Sequence, residues 1–177
     1  YTKDELYALG FTAGPIEQLG FNVSSPGGPA MNNLSIHIGT SPASTLSGFV
    51  SGLIPCFDTL AYQAVVGWNM FKLQTPYYWN GNENLVIELC FNNNAYSSNA
   101  SMEYTQLLSS VWAAYCDNCT AGCNLTGGSG SSLRANLRLL AKNDRTTYSW
   151  AGPNGYQSAY RTLVLNNIDP SMAGTYT

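Results

Sequence analysis

The stretch NLVIELCFN, residues 84–92, carries the clearest strand signal in the chain. Its apolar residues recur at every second position, which is the period of a β-strand with one buried face. The residues of the apolar face are Leu85, Ile87, Leu89 and Phe91. The other face is mixed and consists of Val86, Glu88 and Cys90.

The same period of two recurs along the rest of the chain. Two stretches on the N-terminal side show it: Leu19, Phe21 and Val23 alternate with Gly20 and Asn22, and Leu34, Ile36 and Ile38 alternate with Ser35 and His37. Further strands are predicted in GWNMFKLQTPYYWNG (67–81), SMEYTQ (101–106) and SSLRANLRLL (131–140), the last with Leu133, Ala135, Leu137 and Leu139 facing inward. We interpret the intervening GGSGSS (127–132) as a long loop. Many short strands joined by Gly-, Pro- and Asn-rich loops predict an all-β fold, an antiparallel β-sandwich of the jelly-roll or immunoglobulin-like kind.

A short helix is predicted at the start of the chain, in YTKDELYALG (1–10). Thr2 and Glu5 have the spacing of a capping box, in which each side chain accepts a hydrogen bond from the backbone of the other. Gly10 suits the left-handed residue that ends a helix. A helix of about two turns follows from these signals.

The domain organisation changes near AKNDR (141–145), where the strand alternation stops. We therefore predict a β-sandwich domain over 1–140 and a shorter, β-rich segment over 141–177. At 177 residues the chain can build one large domain plus a fragment, but not two complete large domains.

Composition excludes several classes of protein. Charged residues make up only 10% of the chain and aromatic residues 12%, so the composition is that of a folded protein and not of a disordered one. The net charge is near −3 without long charge runs, so we expect no nucleic-acid partner. No apolar run reaches the roughly 18 residues of a membrane span, and none is expected.

The five cysteines indicate an oxidising, extracellular environment, because the chain is also rich in Asn, Gly and Tyr and poor in Lys. They are Cys56, Cys90, Cys116, Cys119 and Cys123. We expect a disulfide within CDNCTAGC (116–123), although connectivity cannot be derived from spacing alone. The odd count leaves one thiol over, which is either buried and free or paired with another chain.

Catalytic residues are scarce. His37 is the only histidine, and its alternation with Ile36 and Ile38 points it outward from a strand beside Ser35. Nothing in the sequence places Asp4, Asp58 or a cysteine near it, so we interpret it as structural and expect no enzyme. An enzyme would show itself by two carboxylates in one cleft, for which Glu83, Glu88 and Asp117 are the candidates, but a solvated surface explains them better.

Metal sites are not expected either, and no cofactor is predicted. CDNCTAGC has the cysteine density of a zinc site, but it lacks a histidine and would need Cys90 or Cys56 as a fourth ligand. The oxygen-rich WNGNEN and FNNN lack the regular spacing of a known calcium loop, so we interpret them as turns.

Carbohydrate contacts are the main alternative to a purely structural role. Tyr77, Tyr78 and Trp79 form the best aromatic cluster on which a sugar ring could stack, although one of two successive strand residues normally faces the core. Five N-x-S/T sequons can accept N-glycans in a secretory setting, but Asn- and Ser-rich chains produce several by chance. They lie at Asn22, Asn33, Asn99, Asn118 and Asn124.

Three stretches carry a family resemblance: YTKDELYALGFTAGPIEQLGFNV, LIPCFDTLAYQAVVGWNMFKLQTPYYWNGNENLVIELCFNNN and SSLRANLRL. Over residues 1–140 the chain resembles a β-sandwich module of large secreted surface proteins of Bacteroidota, which are exported by the type IX system and are often adhesin-like. DTL at 58–60 is similar to the O-glycosylation motif of that group, which implies a glycan on Thr59 in a loop. The resemblance also implies a further extended segment before Tyr1, so a strand is expected to be missing there.

The C-terminal segment is similar to the immunoglobulin-like repeats of the same surface proteins. The likeness places Trp150 on an inner strand and Tyr176 at a tyrosine corner. It departs from the repeats at Met172, where an acidic residue is usual, and in lacking their cysteine pair. A missing strand at one end and surplus strands at the other imply a fibre subunit that pairs head to tail with copies of itself. The competing explanations are a piece cut from a longer polypeptide and a carbohydrate-binding adhesin module.

Overall fold

The computed structural model describes residues 1–95, 98–117, 122–141, 149–158, 165 and 168–177. The chain divides into two compact units, Tyr1–Lys142 and Asn143–Thr177. The fold is all-β, as the alternation of the sequence predicts. No helix among these residues is long and apolar enough to cross a membrane.

The elements of the first unit are a helix and nine strands. They are α1 (Lys3–Ala8), β1 (Gly14–Ser25), β2 (Met31–Ser41), β3 (Ile54–Tyr62), β4 (Gly67–Trp79), β5 (Asn84–Cys90), β6 (Ser101–Met102), β7 (Tyr104–Ala113), β8 (Ser129–Ala135) and β9 (Leu137–Ala141). A short 3₁₀ turn, Gly122–Asn124, lies between β7 and β8.

Two antiparallel sheets form the sandwich. In the first sheet β1 is central: β4 pairs with one edge, and β6 and β9 share the other. The second sheet has the order β3-β2-β5. Strands β7 and β8 pair with each other as a separate antiparallel ribbon.

The core consists of the inward rows of both sheets. Leu34, Ile36 and Ile38 of β2 are fully buried, as the alternation predicts. They pack in one cluster with Leu19 of β1 and Trp79 of β4. Burying each large apolar side chain contributes about 1.5–3 kcal/mol, so these rows supply the main drive for closing the sandwich.

Helix α1 begins with the predicted capping box. The Glu5 backbone N–H donates to Thr2 Oγ1 (3.3 Å), and the Thr2 N–H donates to Glu5 Oε2 (2.8 Å). Arg134 of β8 adds two hydrogen bonds of 2.9 Å to the same carboxylate. These bonds from Arg134 are the main reason that the pKa of Glu5 falls to about 2. The helix is thereby tied to a strand far along the chain.

Three local predictions are wrong. GGSGSS is not a loop, because β8 begins at Ser129 and Ser129–Ser131 pair with Val111–Ala113 of β7. Leu133 is 49% exposed instead of inward, since β8 leaves the sheet of β1 to pair with β7. Thr59 does not lie in a loop but in β3, opposite Leu34.

Asn69, in the GWN stretch, holds the turn between β3 and β4. It is only 3% exposed. Its Oδ1 accepts from the Tyr62 hydroxyl (2.9 Å) and the Val65 N–H (3.0 Å), and its Nδ2 donates to the carbonyls of Val65 (2.7 Å) and Gly67 (2.9 Å). The side chain therefore satisfies backbone groups that the turn would otherwise leave unpaired.

The described residues of the second unit include two short strands, β10 (Trp150–Ala151) and β11 (Gln157–Ser158), which pair with each other. Ala151 and Thr177 also exchange two backbone hydrogen bonds. The Tyr176 hydroxyl donates to the Met172 carbonyl (2.8 Å), which is the bond expected of a tyrosine corner.

Candidate functional site

The outer edge of β5 is the candidate site. β5 is the last strand of its sheet, with β2 on one side. On the other side Tyr1 makes a single antiparallel rung: its backbone N donates to the Leu85 carbonyl, and the Leu85 N–H donates to the Tyr1 carbonyl, both at 2.9 Å. Among the described residues no strand continues this pairing beyond Leu85.

The rung at Tyr1 determines which groups of β5 are open. Backbone N–H and C=O groups of a strand point to alternate sides, so those of Ile87 and Leu89 point the same way as those of Leu85. The groups of Val86 and Glu88 point to β2, with which β5 is in register. Two residues, Ile87 and Leu89, thus present donors and acceptors without a strand partner in the described part of the chain.

A cleft of about 900 Å³ runs along this edge. Its floor includes Val86–Phe91, and β8 contributes Leu133–Ala135. The loop before β3, which is attached to β7 by the Leu46 N–H donating to the Ser109 carbonyl (2.8 Å), forms another wall. The edge of β5 is therefore recessed in a groove, and a single extended segment fits it better than the edge of another complete sheet.

Two buried donors line the same cleft without a hydrogen-bond partner among the described residues. They are Trp112 Nε1 and Arg134 Nε. Buried N–H groups are normally paired, because leaving one unsatisfied costs about 1–3 kcal/mol. Both donors belong to side chains that line the cleft, although the two nitrogen atoms themselves are buried.

A second cluster lies on the outer face of the β3-β2-β5 sheet. Ser35 Oγ is 3.0 Å from His37 Nε2, and His37 Nδ1 is 2.8 Å from Glu88 Oε1. His37 points outward, as its alternation predicts, but its carboxylate neighbour was not predicted, because the register of β5 on β2 decides it. The sequence offers one signal for this contact, because His37 and Glu88 are ionisable residues in the middle of two apolar strands.

The cysteines are mostly in disulfides. Cys90 of β5 is bonded to Cys123, with the two Cα atoms 5.1 Å apart, which fixes the segment after β7 to the end of β5. Cys116 is also disulfide-bonded, and Cys119 lies outside the described residues. Among the cysteines that the structure describes, Cys56 is free and buried, and burial raises its pKa.

The predicted sugar platform does not form. Trp79 is fully buried, donates its indole N–H to the Glu83 carbonyl (2.9 Å) and packs against Tyr7 and Phe11. Tyr77 is half-buried, and only Tyr78 is well exposed, at 69%. The period of two along β4 places Tyr78 on the opposite face from Tyr77 and Trp79.

The glycosylation candidates differ in access. Asn33, Asn99 and Asn124 are exposed, Asn22 is half-buried in β1, and Asn118 lies outside the described residues. Thr59 is half-buried and shares the face of the buried Leu34, since directly opposite residues of a ladder point the same way.

The carboxylate and cysteine candidates make other contacts or are exposed to solvent. Glu83 accepts from the Thr40 hydroxyl (2.5 Å), Glu88 contacts His37, and Asp117 is exposed. A disulfide-bonded Cys123 has no thiolate to offer zinc. In the described part of the chain no three His, Cys, Asp or Glu side chains converge as a metal site.

No family model, curated protein or solved structure matches the chain.

Proposed function

We propose that the chain is a structural subunit of an extracellular fibre on a bacterial surface, in which an extended strand of one copy completes the sheet of the next. The observation that carries the proposal is the open edge of β5, recessed in a cleft of about 900 Å³. Unpaired strand edges bind other strands, and a heterologous contact of this kind that does not close into a ring builds a filament.

The rung at Tyr1 gives the incoming strand its direction. Because Tyr1 and Leu85 exchange both hydrogen bonds, a strand in line with Tyr1 runs antiparallel to β5. Its residues opposite Ile87 and Leu89 make the hydrogen-bonded rungs and point into the core. We therefore expect a donor with apolar side chains at those two alternate positions.

The second unit of another copy is the proposed source of that strand. None of its described residues is buried, whereas the first unit contains the whole buried core. Segments below about 40 residues rarely build enough core to be stable alone. A segment whose apolar side chains are buried against a neighbouring copy can be stable without a core of its own.

The proposed location outside the cell is supported by the Cys90–Cys123 disulfide and the second disulfide at Cys116. Glycosylation of Thr59 or of the exposed sequon residues would fit the same compartment. The competing adhesin function needs a flat aromatic surface, and the burial of Trp79 leaves Tyr78 alone to provide it. Fibre assembly is therefore the better supported function.

The edge can be blocked with one substitution. Ile87→Pro removes the N–H that points into the cleft but no hydrogen bond to β2, and proline is tolerated on edge strands. Ile87→Val is the matched control, because it keeps the N–H and most of the side chain. Sedimentation and negative-stain electron microscopy should show filaments or concentration-dependent oligomers for the wild type and the control, and monomers for Ile87→Pro.

Circular dichroism of each variant confirms that the sandwich is folded before assembly is compared. A wild-type chain that stays monomeric at all concentrations contradicts the proposal, as does an Ile87→Pro variant that assembles equally well. Saturable binding on a glycan array that is lost in Tyr78→Ala would favour the adhesin function instead.

A further inference from the structure

The Ser35–His37–Glu88 cluster has the geometry of a nucleophile with its base. Ser35 and His37 alternate with the buried Leu34, Ile36 and Ile38, so both lie on the outer face of the sheet. The side chains of His37 and Glu88 are each 28% exposed, which leaves them in contact with solvent and yet sheltered.

The hydrogen bonds orient the imidazole. Glu88 is an acceptor, so His37 Nδ1 carries the proton of the 2.8 Å contact. In the neutral ring Nε2 then holds a lone pair that is directed at the Ser35 hydroxyl, 3.0 Å away. A hydroxyl beside a base that a third group orients is the general arrangement of an activated serine. Ser35 Oγ also lies 3.4 Å from the Phe57 carbonyl, a longer contact than the one with His37.

The backbone around the cluster is rigid. His37 lies directly opposite Glu88, and Ser35 lies opposite Cys90, which the disulfide to Cys123 holds in place. On the other side Ser35 lies opposite Asp58 of β3, and the ladder is shifted between Ile36 and His37. The three side chains are thus positioned by paired strands and not by loops, which favours a fixed geometry.

We propose that Ser35 is a nucleophilic acylation site, with His37 as its base and Glu88 as a positioning residue. The acyl donor is an activated ester or thioester. Ser35 Oγ forms the new bond to the acyl carbon while the bond from that carbon to the leaving oxygen or sulfur breaks. The hydroxyl proton passes to His37 Nε2 and from there to the leaving group, so that an O-acyl serine and an alcohol or thiol result. The inference does not depend on the fibre function.

The test is acetylation of the full-length chain by p-nitrophenyl acetate, followed by peptide mapping with mass spectrometry. Ser171 is the internal control, because its hydroxyl donates to the Asp169 carboxylate (2.5 Å) in an exposed turn but has no such imidazole. Base catalysis contributes about 10²–10⁴-fold, so Ser35 should be acetylated at least about tenfold faster than Ser171. An equal rate at the two serines overturns the proposal.

Substitutions of His37 and Glu88 distinguish the base from the positioning residue. His37→Gln should reduce the rate at Ser35 to that of Ser171, and Glu88→Gln should slow it less and change its pH profile. Asp58 and Glu88 are the ionisable residues opposite the pair on the neighbouring strands, and Asp58→Asn is the control for their charge. Acetylation that is unchanged in His37→Gln contradicts the assignment of the base.

Discussion

The two outer edges of the β3-β2-β5 sheet are covered by different groups. At β3 the side chain of Gln74, from β4, takes the place of a strand: the Asp58 N–H donates to Gln74 Oε1 (3.0 Å), and Gln74 Nε2 donates to the Asp58 carbonyl (2.8 Å). At β5, within the described part of the chain, Leu85 exchanges its outward hydrogen bonds with the backbone of Tyr1. We refer to the β3 edge, with Gln74, as the closed side and to the β5 edge, with its cleft, as the open side.

The two edges differ in their surroundings, because the cleft is lined by β5 and not by β3. Natural β proteins cover or interrupt their exposed edges because bare edges pair with other chains. The β3 side does so with Gln74 and with the turn that Asn69 holds. The β5 side is instead recessed in a cleft with two unpaired buried donors. Four predictions test this comparison, beginning with the largest expected effect.

Replacing Asn69 should disrupt the closed side most strongly. Asn69→Leu has a similar volume but removes the four hydrogen bonds to Tyr62, Val65 and Gly67, and leaves backbone groups of the turn unpaired. We expect the free energy of unfolding to fall by about 3 kcal/mol. Urea denaturation measures this, and Asn94→Leu at an exposed position is the control. Similar losses for both variants would show that the turn does not depend on Asn69.

On the open side, the contact of Glu5 with Arg134, which lines the cleft, should contribute to the stability of the fold. Glu5→Gln can still close the capping box but removes the charge from the hydrogen bonds with Arg134, so we expect a loss of about 1–2 kcal/mol at neutral pH. The pKa of Glu5 is lowered to about 2 in the folded chain from 4.5, so its stabilisation is complete above pH 4.5 and is lost as the pH falls towards 2. The two unfolding curves should therefore converge in that range. Asp4→Asn, in the same helical turn, is the control, and a difference that is independent of pH would contradict the prediction.

Removing the amide at the closed edge should have a smaller effect on stability but a clear effect on exchange. Gln74→Ala leaves the Asp58 N–H and C=O without their partner, and we expect a loss of about 1 kcal/mol. Hydrogen exchange at the Asp58 amide should accelerate, since the amide is then open to water. Lys72→Ala, two residues earlier on the exposed side of β4, is the matched control. Unchanged protection of Asp58 would mean that Gln74 does not close the edge.

Local signals account for what the sequence predicts correctly. The alternation of β2 and β5 and the capping box of α1 depend on neighbouring residues, and all are present in the structure. Strand β3 was missed because IPCFDTLAY does not alternate, and the start of β8 at Ser129 because its Gly and Ser residues favour loops in isolation. Both are strands because of the partners that pair with them. Long-range pairing also explains why the Gln74 bridge and the cluster around His37 were not predicted.

The smallest expected effect is a difference in hydrogen exchange along the open edge, which is measured in the wild type without any change in stability. In the monomer the amides of Ile87 and Leu89 should exchange quickly, because they face the cleft, while those of Val86 and Glu88 should be protected by β2. On assembly the first pair should become protected and the second should not change. Hydrogen exchange with residue resolution measures both pairs in one sample, so that each residue on the β2 side serves as the control for its neighbour. If Ile87 and Leu89 are already protected in the monomer, the edge is closed within a single chain, and the contrast between the two sides of the sheet no longer holds.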